Sequence, residues 1–89
     1  MRARIGLLVD DDENTLRLFD DILVGQGFAV DAYSDPVTAL IEFKSEYFDL
    51  LILDYRMPTL NGLELFNKMR ERDKSVKGML LPASYEQLL

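Results

Sequence analysis

Asp49-Leu50-Leu51-Ile52-Leu53-Asp54-Tyr55-Arg56-Met57-Pro58-Thr59-Leu60-Asn61-Gly62 is the stretch from which the rest of the chain is best understood. Leu50, Leu51, Ile52 and Leu53 form an unbroken apolar run that ends on a lone carboxylate, Asp54. Pro58 and the Asn61-Gly62 pair then interrupt regular structure, so a buried strand delivers one acid to a loop. Asn61-Gly62 also suits a hairpin turn. Helical spacing follows it here, with Leu63, Phe66 and Met69 on one face, so the pattern predicts a strand-to-helix loop and a helix over 62–73.

Upstream, Ile5-Gly6-Leu7-Leu8-Val9 is a second short apolar run, which stops at Asp10-Asp11-Asp12 and suits a strand buried on both faces. Leu16, Phe19, Ile22 and Leu23 then set an amphipathic helix over about 14–26, with Gly27 as its stop. Phe28-Ala29-Val30-Asp31-Ala32-Tyr33 is a more mixed strand, expected at an edge. Ser34-Asp35-Pro36 opens a helix whose apolar stripe is Ala39, Leu40, Phe43 and Tyr47. Residues 76–81 form a fourth strand, ended by Pro82. Strands alternating with helices imply right-handed crossovers and a parallel sheet with helices on both faces.

With 89 residues the chain is expected to be a single domain over 1–89. Its 48% hydrophobic and 29% charged residues argue for a folded protein over a disordered one. Such a short chain buries only roughly 60 to 65% of its unfolded surface, so association is expected. The absence of cysteine and histidine excludes disulfides, thiolate metal sites, a Ser-His-Asp triad and a phosphohistidine on the chain itself. A net charge of −6 opposes a nucleic-acid surface. No apolar run approaches the roughly 20 residues of a membrane span. Met1-Arg2-Ala3-Arg4 leads straight into a strand without the features of a signal peptide, and a cytoplasmic location is expected.

Ligands of doubly wound sheets sit at the carboxyl ends of the strands. If the first and third strands are neighbours, the acids that end them lie roughly 5 Å apart, and Asp10, Asp11 and Asp54 share a pocket. Crowded carboxylates repel, and a hard divalent cation with oxygen ligands relieves that repulsion. Mg2+ is the natural candidate. A carboxylate beside such a cation is also a nucleophile toward phosphorus. Each acid has a plainer reading as a helix cap or solvated turn residue, and Asp12 is expected to be a cap.

At these residues the sequence resembles the receiver domain of two-component response regulators. The resemblance rests on Leu8-Val9-Asp10-Asp11 and on the ungapped Asp54-Tyr55-Arg56-Met57-Pro58-Thr59-Leu60-Asn61-Gly62, and it extends from residue 5 to about residue 83. It implies a flavodoxin-like α/β fold, a doubly wound parallel sheet of order 2-1-3-4. In such a fold Asp54 would be the phosphoacceptor in a phosphorelay, and Asp10 and Asp11 the Mg2+-binding acids. The Arg56 backbone carbonyl would be a further metal ligand. The phosphoryl donor would be a sensor histidine kinase or a phosphotransfer protein, and the chain a signalling module, not an enzyme.

Several family features are missing. Four strands and three helices stand where the family has five β-α units, so the domain is expected to be truncated. The Ser or Thr that precedes an Ala after the fourth strand is replaced by Pro82, before Ala83, and the lysine of the fifth strand has no counterpart. Ser84 is a distant substitute at best, and Lys44, Lys68, Lys74 and Lys77 belong to helices, their ends or the wrong end of a strand. These departures support an alternative, a degenerate receiver acting through protein-protein contact. A phosphohydrolase ranks last, because Arg56 occupies the place of a general acid/base carboxylate. The uncovered sheet predicts a homodimer that buries the fourth strand's edge, the tail or the free side of the first helix.

Overall fold

The computed structural model describes residues 3–82. Seven elements alternate along the chain: β1 (Arg4–Val9), α1 (Glu13–Gly25), β2 (Phe28–Tyr33), α2 (Pro36–Glu42), β3 (Leu50–Asp54), α3 (Gly62–Arg72) and β4 (Gly78–Leu81). Every strand pairing is parallel and the order is β2-β1-β3-β4, as the sequence implied. β2 and β4 are the two edges. No helix among the described residues is long and apolar enough to cross a membrane.

Strand alternation divides the apolar residues between two faces. Leu7, Val9, Leu51 and Leu53 pack with Ala39 and Phe43 of the α2 region and with Leu65 and Met69 of α3. Leu8, Ile52 and Leu81 turn the other way, toward Leu23 of α1, with Leu16, Phe19 and Val30 partly buried beside them. One face thus carries two helices and the other carries one.

α1 ends where expected, with Gly27 at φ 93, a left-handed conformation that favours glycine. Its inner stripe is narrower than the spacing suggested, because Ile22 is 48% exposed. The flank carrying Leu16, Arg17 and Asp20 lines a groove with Ala32 of β2. The opposite flank, with Leu18 and Ile22, is left uncovered. Asp12 occupies the cap position without a side-chain bond to the helix amides; its carboxylate accepts the Thr15 hydroxyl instead, at 2.6 Å.

The start of α2 follows the sequence: Asp35 accepts the Val37 amide at 3.2 Å and the Thr38 hydroxyl at 2.7 Å, with Pro36 in the first turn. Its end does not. The helix stops at Glu42, Phe43 turns extended, and Tyr47 lies beyond it, edge-on to Phe48 at 4.9 Å. The cause is tertiary. Arg72, at the end of α3, donates to the Leu40 carbonyl at 3.0 Å and the Phe43 carbonyl at 2.9 Å, and its guanidinium lies 5.3 Å from the centre of the Phe43 ring. A seven-residue helix is too short to persist alone, so these last carbonyls depend on that fork. Next to it, the Asp73 carboxylate accepts the Glu46 amide at 2.9 Å and both the amide and hydroxyl of Ser75. Those bonds, led by the Glu46 amide, hold the Asp73 carboxyl below the usual carboxylate range.

Arg72→Met is therefore expected to cost about 1.5 kcal/mol in urea denaturation, for two charge-assisted bonds at a partly solvated site. Arg72→Lys is expected to recover less than half of the loss, since an ammonium cannot span both carbonyls in one plane. Equal stability of the lysine variant and wild type would refute a forked cap.

In α3, Leu65 and Met69 are buried, while Leu63, expected inside, is 43% exposed. Asn61 and Glu64 form a capping box, with reciprocal bonds of 2.9 and 3.0 Å, which starts the helix at Gly62. From that start Gly62, Leu65 and Met69 share the inner face and Leu63 points away. β4 begins at Gly78, two residues later than the apolar pattern suggested; Val76 is buried ahead of it in the loop.

Candidate functional site

In the β1–β3 register Val9 faces Leu53, so Asp10 and Asp54 leave adjacent strands side by side. Asp10 is anchored by its amide, which donates to the Tyr33 carbonyl of β2 at 3.1 Å, and its carboxylate accepts the Asp12 amide at 2.9 Å. Asp54 is anchored through the next residue, whose amide donates to the Leu81 carbonyl of β4 at 3.0 Å. Asp10 and Asp54 are buried and Asp11 is exposed at the mouth. One carboxylate oxygen from each lies within 4.8 Å of the other two. The sheet thus brings together all three acids singled out by the sequence.

The loop after β3 is shaped around this cluster. The Arg56 amide donates to Asp54 Oδ1 at 3.3 Å. Met57 and Leu60 are buried in the core on the α2/α3 face and pin the loop from below. Between them the Leu60 amide reaches the Pro58 carbonyl at 2.8 Å across Thr59, whose φ is 73. A β-branched residue there is strained. Met57 and Leu60 have no role in a reading of this loop by turn residues alone; two apolar side chains in an otherwise turn-forming segment are the signal that marks them as anchors.

Gly62 closes the loop against the acid. Its amide donates to the Tyr55 carbonyl at 3.0 Å, and a Cβ at this position would collide with the Asp54 carbonyl oxygen and sit 2.9 Å from the carbonyl carbon. The first turn of α3 therefore rests directly on the backbone that carries Asp54.

The electrostatics follow from this crowding. The Asp54 carboxyl is pushed up to about 7, first by burial and then by the negative charge of Asp10, with Asp11 adding to it and the Arg56 amide pulling the other way. A buried carboxylate between two others is a position that attracts a proton or a cation. Three hard oxygen donors within 4.8 Å fit an octahedral ion of the Mg2+ class. Such an ion places ligands roughly 2 Å from its centre and thus no more than about 4 Å apart, so a small closure or one bridging water completes the fit.

Pro82 follows β4 directly and is exposed, with no hydroxyl to offer. Ala83 and Ser84 lie outside the described residues. Of the lysines, Lys44 sits over the Tyr47 ring at 4.7 Å, Lys68 is exposed on α3, Lys74 lines a groove with Phe66 and Arg70, and Lys77 precedes β4 at the opposite end of the sheet.

Comparison with known proteins agrees with this geometry. The family model of the response regulator receiver domain matches residues 7–87. Response regulator ArlR of Staphylococcus aureus is 35% identical over 69 residues, which are 78% of this chain and 32% of that protein. The chain thus spans about a third of the length of that curated relative. Among solved structures, the non-phosphorylated HemR receiver domain of Leptospira biflexa superposes with a TM-score of 0.84 at 27% identity, covering 96% of this chain and 71% of that one. TrrA, in its complex with the histidine kinase ThkA, matches with a TM-score of 0.80 at 36% identity over 90% of this chain and 69% of that one. TrrA of Thermotoga maritima has also been solved with Mg2+-BeF, and that structure has a TM-score of 0.80 at 32% identity, covering 97% of this chain and 76% of that one. With the acid cluster at the strand ends and most of the chain matched, this protein belongs to the response regulator receiver domain family.

Proposed function

We propose that Asp54 accepts a phosphoryl group in phosphorelay signalling, in a site that Asp10, Asp11, Asp54 and the Arg56 carbonyl complete with Mg2+. The single observation that carries this reading is the meeting of three carboxylates within 4.8 Å at the ends of adjacent strands. In the transfer an Asp54 oxygen attacks phosphorus, the bond to the donor's leaving group breaks, and the electron pair leaves with that group. Asp54 becomes an acyl phosphate. Bound Mg2+ would supply charge neutralisation for the phosphoryl oxygens. Asp10 and Asp11 hold the negative charge that recruits the cation, and Met57, Leu60 and Gly62 keep the Asp54 backbone in place.

The proposed donor is a phosphohistidine on a sensor kinase or phosphotransfer protein, supported by the likeness to TrrA, which has been solved with a histidine kinase. A net charge of −6 supports a protein partner over nucleic acid, and we place the module in the cytoplasm, acting by signalling and not as an enzyme. A second proposed partner is another copy of the chain. Pro82 in place of a hydroxyl residue favours slow or unproductive transfer, which is the alternative of an interaction module alone.

Incubation with acetyl phosphate and Mg2+, followed by intact mass, separates the two. One phosphoryl adduct on wild type and none on Asp54→Asn is the expected result. No adduct on wild type after prolonged incubation would leave only the interaction module.

A further inference from the structure

Half of the backbone groups of β4 have no neighbouring strand among the described residues. The Leu51 amide donates to the Lys77 carbonyl at 2.8 Å and the Tyr55 amide to the Leu81 carbonyl at 3.0 Å. Lys77, Met79 and Leu81 therefore turn their peptide groups toward β3, and Gly78 and Leu80, one residue out of phase, turn theirs away. β4 pairs with β3 alone. An edge of this kind is a template for another strand.

We propose that this edge joins two copies of the chain, the two β4 strands pairing antiparallel about a two-fold axis at Met79 to make one continuous sheet. The register follows from the hydrogen-bonding groups. Gly78 of one copy faces Leu80 of the other, each such pair exchanging both amide-to-carbonyl bonds, and Met79 faces its own symmetry mate in the non-hydrogen-bonded position. Centring the axis on Leu80 would set Gly78 against a proline, Pro82, which lacks a donor. Centring it on Gly78 would set Leu80 against Val76, which is buried outside the strand.

The side chains suit the same register. Gly78 and Leu80 share the α3 face, where the Phe66 ring lies so close to Gly78 that a Cβ would come within 2.5 Å of Phe66 Cε1. Leu80 of the second copy arrives opposite Gly78, at the rim of that ring. On the other face Met79 is 54% exposed and meets the second Met79. Charge favours the edge as well. In a chain of net charge −6, residues 74–82 contain Lys74 and Lys77 and no acid, whereas the acidic Glu13, Asp20 and Asp21 lie on α1, which packs over β1 and β2. Lys77 stands two residues from the axis, so its mate is about 13 Å away along the strands, beyond a screening length of about 8 Å. Antiparallel pairing about a two-fold closes on itself and forms no fibre. The inference deepens the proposed self-association and stands independently of phosphoryl transfer.

The chain has no cysteine, so Met79→Cys carries a lone thiol. Sedimentation equilibrium of the full chain over about 5 to 200 µM is expected to give twice the 10.2 kDa monomer mass at the upper end. Met79→Lys, an exposed position, is expected to weaken the dimer at least about tenfold while the monomer melts as wild type does. Under mild oxidation Met79→Cys is expected to cross-link, because cross-strand partners in a non-hydrogen-bonded pair sit within disulfide reach. Ile41→Cys, 74% exposed on α2, is the collision control and is expected to stay uncrosslinked. A wild-type monomer at every concentration overturns the proposal and leaves the edge to another strand. A dimer that Met79→Lys leaves intact, or cross-linking of Met79→Cys no faster than that of Ile41→Cys, overturns the β4 register while retaining self-association.

Discussion

Gly62→Ala is expected to destabilise the fold by about 3 kcal/mol, measured as a lowered urea midpoint at unchanged slope. The sign is what makes this informative. By helix propensity alone, alanine at a helical position outdoes glycine by up to about 1 kcal/mol. Here the added methyl meets the Asp54 carbonyl group and lies 3.1 Å from Tyr55 Cα. These are backbone atoms, which cannot swing aside as a side-chain end can. Relief requires either lifting the first turn of α3, which breaks the Asn61–Glu64 capping box, or shifting the end of β3, which moves Asp54. In both cases the acid cluster loses its geometry along with the stability. A neutral or stabilised variant would show that α3 does not rest on the Asp54 peptide.

Asp54→Asn is expected to act in the opposite direction and to raise the melting temperature at pH 8 by roughly 10 °C, for about 2 kcal/mol of stability. The Asp54 carboxyl is pushed up to about 7 from its ordinary 3.8. The folded state therefore holds the proton more tightly than the unfolded chain does, and ionisation works against folding. Below about pH 4 the acid is protonated in both states and costs nothing; the penalty grows as pH rises and is complete above about pH 7. The full shift would give about 4 kcal/mol, which solvent at the mouth and proton sharing with Asp10 reduce to about half. The stability difference between variant and wild type should thus vanish near pH 4 and widen toward pH 8. Millimolar Mg2+ at pH 8 should narrow it again, since a cation bound to the folded state stabilises the carboxylate form. A constant difference across this pH range would show that Asp54 carries no burial penalty.

How much of this was legible in the residues alone can be judged element by element. Apolar runs of four or five residues, Leu50 to Leu53 and Ile5 to Val9, identified the central strands because strands covered on both faces tolerate no polar residue. The acids ending those runs named the site, since a strand's carboxyl end is where a loop opens. Asp35-Pro36 and Gly27 set helix boundaries by local chemistry, and the structure agrees with both.

What the residues did not decide depended on partners distant in the chain. The end of α2 lies with Arg72, some thirty residues on, so the stripe that seemed to reach Tyr47 was cut short. The inner face of α3 lies with a cap that rotates Leu63 outward and Leu65 inward. Ile22 belongs to the apolar periodicity of α1 yet faces no cover, because α1 packs toward β2. Gly62 resembled a loop breaker, and only the contact between α3 and the β3 backbone showed why a side chain is excluded there. The sequence by itself determined the strands, their order and the identity of the three acids, because burial and turn chemistry are written in local pattern. Tertiary structure alone decided that those acids meet within 4.8 Å and that Asp54 is pushed to about 7, because proximity and desolvation belong to the folded sheet and to no single stretch of chain.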